Sequence, residues 1–394
     1  MELDAFYAFL VALAVSILLT PLTARLAWRV GAVDEPRERG LSDRAMPRLG
    51  GLAILAGTLV AGICFLPIGD ETRGILLGAI VITIVGGLDD IFDLHPAVKL
   101  LGQIGAALIP VLAGVTVSNV TLPFIGAVDF GDAGAPLTLF GLVVVMNVVN
   151  LSDGVDGLAA GVCTISAVAF AIIAFDLERD SAGILAAIVA GASLGFLFHN
   201  FNPASVIMGD SGSNLLGLLL GCVIVQGALK TNAVIALIVP LVILAVPFLD
   251  TSFVVAKRIK YRQPVYRADA WHFHHRLANL GFSQRRTVLY LYAWTLTLAG
   301  LALALRFVPY SNDRGHFDIG WTIVMVALGA MALGASVYLI YILEILKFKR
   351  LRGFQLRDQD PQTSEHEIVA AVVRDLETGE FRVVDRDHTN QPTE

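Results

Sequence analysis

The feature that most constrains this chain is a series of about eleven apolar segments, most of them close to the length of a membrane span. A helix needs roughly 20 apolar residues to cross the hydrocarbon core of a bilayer. Apolar residues make up 56% of the 394 residues and charged residues 16%, whereas soluble domains contain roughly 45–50% and 25%. These values exclude an ordinary soluble domain and predict an all-α polytopic membrane protein.

We place the predicted spans at Ala5–Trp28, Gly50–Pro67, Gly74–Leu88, Val98–Val115, Leu137–Leu151, Gly157–Phe175, Ala182–Phe198, Asn214–Leu229, Ala233–Val255, Thr287–Phe307 and Trp321–Leu346. Together they predict one transmembrane domain over residues 1–350. Residues 351–394 are polar and predict a cytoplasmic tail. In this tail Glu367–Arg374 and Phe381–Val384 could pair as a small hairpin, and a disordered tail is the alternative.

Basic residues gather in three regions that lie on the same side of the membrane if the count of eleven spans is right. They are Arg29, Arg37, Arg39, Arg44 and Arg48; Lys257, Arg258, Lys260, Arg262, Arg267, Arg276, Arg285 and Arg286; and Lys347, Lys349, Arg350 and Arg352. Because short cytoplasmic loops carry an excess of Lys and Arg, we expect the N-terminus outside and the C-terminus in the cytoplasm. The expected location is the inner (cytoplasmic) membrane.

The third predicted span ends in an acidic motif, Gly86–Leu94. Asp89 and Asp93 are four residues apart and would share one helix face, with Asp90 offset by roughly 100°. This helix would run inward, so the acids would lie at its C-terminal end, where the macrodipole disfavours anions. We therefore expect a compensating cation, either Lys99 or a divalent metal. A solvated helix end is the alternative.

A second polar motif, Asn147–Gly161, connects the fifth and sixth predicted spans. Two Asp-Gly pairs, beginning at Asp153 and Asp156, predict a tight turn between the spans. The amides of Asn147 and Asn150 could hydrogen-bond a base or a sugar, or bind a hard cation through oxygen. A polar turn with helix caps explains one Asp-Gly pair but explains the whole motif less easily.

A third motif, Met208–Asn214, opens the eighth predicted span. Gly209 allows close approach of the backbone, and Ser211 and Ser213 could cap the helix. Such a helix start suits a phosphate group, and Asp210 suits the metal ion that accompanies phosphate. By itself this motif is a weak signal.

The fourth motif, Asp269–Arg276, lies in the most basic loop. His272, His274 and His275 could form a zinc site, but no cysteine is near. We favour these histidines and Arg276 as donors to phosphate and sugar oxygens.

All four motifs fall on the predicted cytoplasmic side. Acids for a hard cation, small-residue helix starts and a basic loop together favour a Mg²⁺-dependent reaction on a diphosphate, with a lipid partner in the bilayer. An ion or proton-coupled transporter is a remote alternative, because its acids would be spread through the middle of the membrane.

The patterns D-D-x-x-D, N-x-x-N-x-x-D-G-x-D-G-L, G-D-x-G-S and H-x-H-H resemble those of the polyprenyl-phosphate N-acetylhexosamine-1-phosphate transferases, the glycosyltransferase 4 family. The resemblance extends from Arg44 to about Arg286. It implies transfer of a sugar-1-phosphate from a UDP-N-acetylhexosamine to undecaprenyl phosphate, with release of UMP. It also implies Mg²⁺, or Mn²⁺ in its place, as the cofactor.

The resemblance assigns roles to individual residues. Asp89 and Asp90 match the lipid-phosphate side, Lys99 a phosphate contact, and Arg48 the first cytoplasmic motif. The candidate catalytic residues are Asp89, Asp90, Asp93, Lys99, His272, His274 and His275. The candidate substrate-binding residues are Arg48, Asn147, Asp153, Asp156, Gly209, Ser211, Ser213 and Arg276. The candidate metal ligands are Asn150 and Asp210.

Two branches of this family compete. The stretch H-F-H-H-R-L at His272–Leu277 resembles the H-I-H-H-R-L form of the GlcNAc-1-phosphate branch. The phospho-MurNAc-pentapeptide transferases typically end this loop with a run of histidines after proline. The sequence therefore favours UDP-GlcNAc as the donor, with the pentapeptide branch as the alternative. The expected partners are the UDP-sugar, undecaprenyl phosphate, the bilayer and, as one option, a second copy of the chain, with no nucleic acid.

Overall fold

The computed structural model describes residues 2–34, 45–117, 119–122, 126–227, 242–245, 247–249, 251–252, 255, 283–309, 318–344, 364, 366–367, 370–371 and 374. The long helices of this part are α1 Glu2–Val30, α2 Gly51–Phe65, α3 Asp70–Phe92, α4 Pro96–Leu112, α5 Gly134–Ser152, α6 Leu158–Asp176, α7 Asp180–Asn200, α8 Gly209–Gly227, α9 Gln284–Phe307 and α10 Ile319–Glu344. Two antiparallel pairs complete it: β1 Val33–Asp34 with β2 Met46–Pro47, and β3 Asn119–Leu122 with β4 Gly126–Asp129.

Ten of the eleven predicted spans coincide with these helices, and Ala233–Val255 lies mostly outside the described residues. Six helices of the described part, α1, α3, α5 with the turn before it, α6, α7 and α9, are long and apolar enough to cross a membrane. The helical class is therefore confirmed, and a chain that crosses the membrane several times is supported. The count of eleven and the orientation of the termini stay predictions.

Helix α8 lies at the centre of the described bundle. It packs against α2, α3, α5, α6 and α7, and nearly all of its residues are buried. Glycine makes the closest approach possible, because a Cβ on Gly86 of α3 would lie 2.5 Å from backbone atoms of Asp210 and Ser211. Small residues at such contacts allow helix backbones to meet in a membrane. As a result the last turns of α3 lie directly beside the first turn of α8.

The backbone after β2 also runs along the start of α8. Ile207 N donates to Pro47 O at 2.9 Å, Gly50 N to Ile207 O at 3.1 Å, and Gly51 N to Met208 O at 3.1 Å. These bonds connect the segment around Arg48 to the motif that opens α8.

Contacts between residues divide the chain into two units. The first contains Met1–Thr251 and Val288–Val326, and every side chain that lines the pocket described below belongs to it. The second contains Ser252–Thr287 and Ala327–Glu394. Glu367 and the other described residues of the tail between 366 and 374 are helical, and the hairpin and the disordered tail stay predictions. The predicted boundary at residue 350 stays a prediction.

Candidate active site

A polar pocket of about 220 Å³ lies at the ends of α3, α5, α7 and α8. Five carboxylates line it, those of Asp34, Asp90, Asp153, Asp156 and Asp210. Arg48 is the cationic side chain in the described lining. The pocket therefore concentrates negative charge where several apolar helices end, and such an arrangement is costly unless it faces water or cations.

Asp90 joins α3 to α8. It is 7% exposed, and its two oxygens accept hydrogen bonds from the backbone N–H groups of Asp210 at 2.8 Å and Ser211 at 3.1 Å. An anion at the N-terminus of a helix is favoured by the unpaired N–H groups and the macrodipole. Ser211 and Ser213 were expected to cap this helix, but their hydroxyls donate to carbonyls instead, those of Met208 and Gly209. Asp90, from another helix, supplies the carboxylate that accepts from the backbone at the start of α8.

Lys99 of α4 is the cation that the acidic motif requires. It forms ion pairs with Asp89, at 3.2 Å, and with Asp210. The other oxygen of Asp89 accepts from Leu94 N at 2.9 Å. Of the two cations expected at this helix end, Lys99 is seen to pair with Asp89, while the divalent metal stays a prediction.

Asp93 does not share a helix face with Asp89, so that prediction is wrong. Helix α3 ends at Phe92, and Asp93 follows as its C-cap in the left-handed region, with φ 52°. The change of backbone conformation turns Asp93 out of the helix register. Its side chain is exposed and does not belong to the pocket lining.

Asn150 brings α5 to the same point. Its Nδ2 donates to Asp210 Oδ1 at 3.0 Å and to Ser213 Oγ at 2.9 Å. The two candidate metal ligands, which are 60 residues apart, therefore contact each other. Gly209, with φ 71°, begins α8 beside them, and a Cβ there would overlap the Asp90 carboxylate.

The predicted turn between α5 and α6 forms one wall of the pocket. Asp156 Oδ2 accepts from Asn202 Nδ2 and from Ala204 N, each at 3.1 Å. Asn200 Oδ1 accepts from Gly157 N at 2.9 Å. These bonds hold the turn against the segment between α7 and α8.

The carboxyl of Asp153 has an unusual pKa. Burial against the pocket wall, and then the charges of Asp90 and Asp156, raise the pKa of Asp153 to about 7, against an opposing effect of Arg48. A carboxyl that titrates near neutral pH inside a pocket is typical of a functional site.

Arg48 lies in the pocket and forms an ion pair with Asp34, at the end of β1. Asp34 and Asn200 were not among the residues predicted from the sequence. Each follows an apolar segment and precedes a polar one, which is the signal that could have identified them. Asn147 is not in the pocket lining; its Nδ2 donates to Gln103 Oε1 at 2.8 Å and to Val143 O at 2.8 Å.

The remaining predicted residues, His272, His274, His275 and Arg276, lie outside the described residues. Within the described part, no three side chains of His, Cys, Asp or Glu are grouped as a complete metal site. Asn150 and Asp210, with the surrounding carboxylates, suit a hard cation that takes its other ligands from a bound phosphate or water.

Known proteins share extended sequence similarity with this chain. Residues 72–228 match the model of glycosyl transferase family 4. A probable undecaprenyl-phosphate N-acetylglucosaminyl 1-phosphate transferase of Bacillus subtilis is 39% identical, over 72% of this chain and 80% of that protein. A decaprenyl-phosphate N-acetylglucosaminephosphotransferase of Mycobacterium tuberculosis is 35% identical, over 76% and 81%.

A phospho-N-acetylmuramoyl-pentapeptide-transferase of Desulforamulus reducens is 33% identical, over 79% of this chain and 98% of that protein. The resemblance stated from the sequence motifs is thereby confirmed at the level of the family. The chain belongs to glycosyl transferase family 4.

Proposed function

We propose that the protein transfers GlcNAc-1-phosphate from UDP-GlcNAc to undecaprenyl phosphate, giving undecaprenyl-diphospho-GlcNAc and UMP. The observation that supports this most directly is the meeting of Asp90, Asn150 and Asp210 at one polar pocket, with Lys99 paired to Asp210 beside it. These residues come from four helices, at the ends where the apolar segments stop. A lipid phosphate and a soluble nucleotide sugar would meet at such a place, at the cytoplasmic face of the inner membrane.

The pocket suits Mg²⁺ because its five acidic side chains outnumber the two cationic ones, Arg48 in the lining and Lys99 beside it. Asn150 and Asp210 would hold the ion, and Mg²⁺ is commonly bound by one or two carboxylates together with substrate phosphates. Bound there, the ion would neutralise charge on the diphosphate and on the departing UMP.

In the proposed reaction, an oxygen of the lipid phosphate attacks the β-phosphorus of UDP-GlcNAc, and the bond to UMP breaks. Lys99 would attract the phosphate groups, while Asp89 and Asp90 lie on the lipid-phosphate side. Asp153 and Asp156 would face the nucleotide. A direct displacement and a route through an aspartyl-phosphate both fit these residues.

The test is a donor screen with the purified full chain, undecaprenyl phosphate and Mg²⁺, in which UMP release is measured. We expect turnover with UDP-GlcNAc, or with a close relative such as UDP-GalNAc, and little with UDP-MurNAc-pentapeptide. The pentapeptide donor is the second candidate, since a transferase that uses that sugar is 33% identical. Preferential UMP release from the pentapeptide donor would move the chain to that branch. No UMP release from any of the three donors would refute the proposed function.

A further inference from the structure

Three amide side chains form a hydrogen-bonded network inside the helical bundle. Gln103 of α4 donates through Nε2 to Asn214 Oδ1 of α8 at 2.7 Å. Gln103 Oε1 accepts from Asn147 Nδ2 of α5 at 2.8 Å. Gln103 and Asn214 are each 1% exposed. This amide network therefore connects three helices, and two of its three side chains are shielded from water while Asn147 is half-buried.

Each amide lies one helical turn from a residue of the candidate active site. The pairs are Lys99 with Gln103 on α4, Asn150 with Asn147 on α5, and Asp210 with Asn214 on α8. Residues three or four apart share a helix face. In each pair the amide is the residue farther from the helix end that carries the site. The amide network thus forms a second polar layer directly beneath the contacts of the first.

The two layers are also bonded to each other. Asn214 Nδ2 donates to the backbone carbonyl of Asp210 at 2.9 Å. In the upper layer Asn150 Nδ2 reaches Asp210 Oδ1 at 3.0 Å. A rotation or a slide of α5 or α8 that breaks the lower bonds would also separate Asn150 from Asp210.

The physical reason for such a layer is helix register. Apolar side chains can pack in several relative positions of neighbouring helices, since dispersion contacts have no direction. Amides in an apolar interior are satisfied in few of these positions, and leaving them without partners is costly. Fixing the register of neighbouring helices is the best attested role of buried polar residues.

We propose that the amide network holds α4, α5 and α8 in the register that brings Lys99, Asn150 and Asp210 together. Gln103, at the centre of the network, is a positioning residue for the reaction. Asn147 has the same role and does not contact the substrate, in contrast to the expectation from the sequence. The kinetic part of the test rests on the proposed function, so a second readout that does not need turnover accompanies it.

The central variant is Gln103→Met, which keeps the length of the side chain and removes both hydrogen bonds. Its matched control is Gln226→Met. Gln226 also joins two helices, because its Nε2 donates to Glu71 Oε2 of α3 at 2.7 Å, but it lies at the other end of α8. We expect both variants to lower Tm. We expect Gln103→Met alone to lower kcat, on the order of 10- to 100-fold, the size of effect that a small misplacement of reacting groups produces.

A second variant, Asn147→Leu, distinguishes positioning from substrate contact and serves if Gln103→Met does not fold. Loss of a positioning residue lowers kcat, whereas loss of a uniform substrate contact raises KM with kcat unchanged. We expect kcat to fall in Asn147→Leu, with KM for UDP-GlcNAc within about twofold of wild type. A raised KM with wild-type kcat would overturn the positioning role of Asn147.

The readout without turnover is the rise in Tm on addition of Mn²⁺ alone. An ion that binds the folded state stabilises it, so this rise reports binding of the metal. We expect this rise in wild type and in Gln226→Met, and its loss in Gln103→Met. The proposal is overturned if Gln103→Met keeps wild-type kcat and the wild-type response to Mn²⁺. It is also overturned if Gln226→Met loses as much kcat as Gln103→Met. If wild type releases no UMP while the Mn²⁺ pattern holds, the proposed function fails and the positioning role stands.

Discussion

Replacing Asp90 with asparagine tests whether this carboxylate, and not a residue of α8 itself, holds the start of α8. In the structure its oxygens accept from the N–H groups of Asp210 and Ser211. In Asp90→Asn one of these N–H groups would face an amide NH₂ group. A hydrogen bond to a charged group contributes about 1.5–3 kcal/mol, and an anion at a helix N-terminus about 0.3–1 kcal/mol.

The sum predicts that local opening of the first turn of α8 becomes easier by about 2–4 kcal/mol. Since every 1.4 kcal/mol is a factor of ten, amide hydrogens of this turn should exchange roughly 30- to 700-fold faster. Hydrogen exchange measured by mass spectrometry on the purified protein, on peptides that cover Gly209–Gly227, provides the assay.

The matched control is Asp89→Asn. Asp89 is adjacent in sequence, but its oxygens pair with Leu94 N and Lys99, so exchange in α8 should change little. Unchanged exchange in Asp90→Asn, or equal acceleration in both variants, would refute the assignment of Asp90 to the start of α8.

Three further predictions follow from the pocket. Gly209→Ala should lower Tm, because a φ of 71° alone costs about 1–2 kcal/mol for a residue with a Cβ. In the control Gly87→Ala the added Cβ meets only an ordinary contact, so Tm should not fall. The pKa of Asp153 is raised from 3.8 to about 7 in the folded protein. Between these pH values the folded protein holds a proton on Asp153 that the unfolded chain has released, so the free energy of unfolding falls as pH rises towards 7. Asp153→Asn should therefore raise Tm more at pH 8 than at pH 5; an equal change would contradict this. EDTA should abolish UMP release, and Asp210→Asn should remain inactive with added Mg²⁺; turnover in EDTA would contradict the metal role.

The prediction of helices succeeded because a membrane span is a local property of the sequence. A segment of roughly 20 apolar residues satisfies its own backbone hydrogen bonds as a helix, whatever its neighbours are. The positions of α3 to α8 could therefore be read without knowledge of their packing. The polar motifs at Asp89, Asn150 and Asp210 were recognisable for the same reason, since each interrupts an apolar run.

Contacts between distant residues could not be read in this way. Asp90 accepts from Asp210 N, 120 residues away, and this bond depends on the close approach at Gly86. The sequence predicted serine caps at that helix start, because local patterns show only the residues near in sequence. Helical periodicity predicts that Asp93 shares the face of Asp89, because periodicity does not reveal a C-cap in the left-handed conformation.

By itself, the sequence determined that this chain is a helical membrane protein, that its polar motifs occur where apolar segments end, and which family it resembles. Only the tertiary structure decided which motifs meet. It joined Asn150 to Asp210, and Lys99 to both Asp89 and Asp210. It joined Asn147 to Gln103 instead of to the pocket. The physical reason is that helix formation depends on neighbours along the chain, whereas helix register depends on the packing of small residues and buried amides contributed by separate helices.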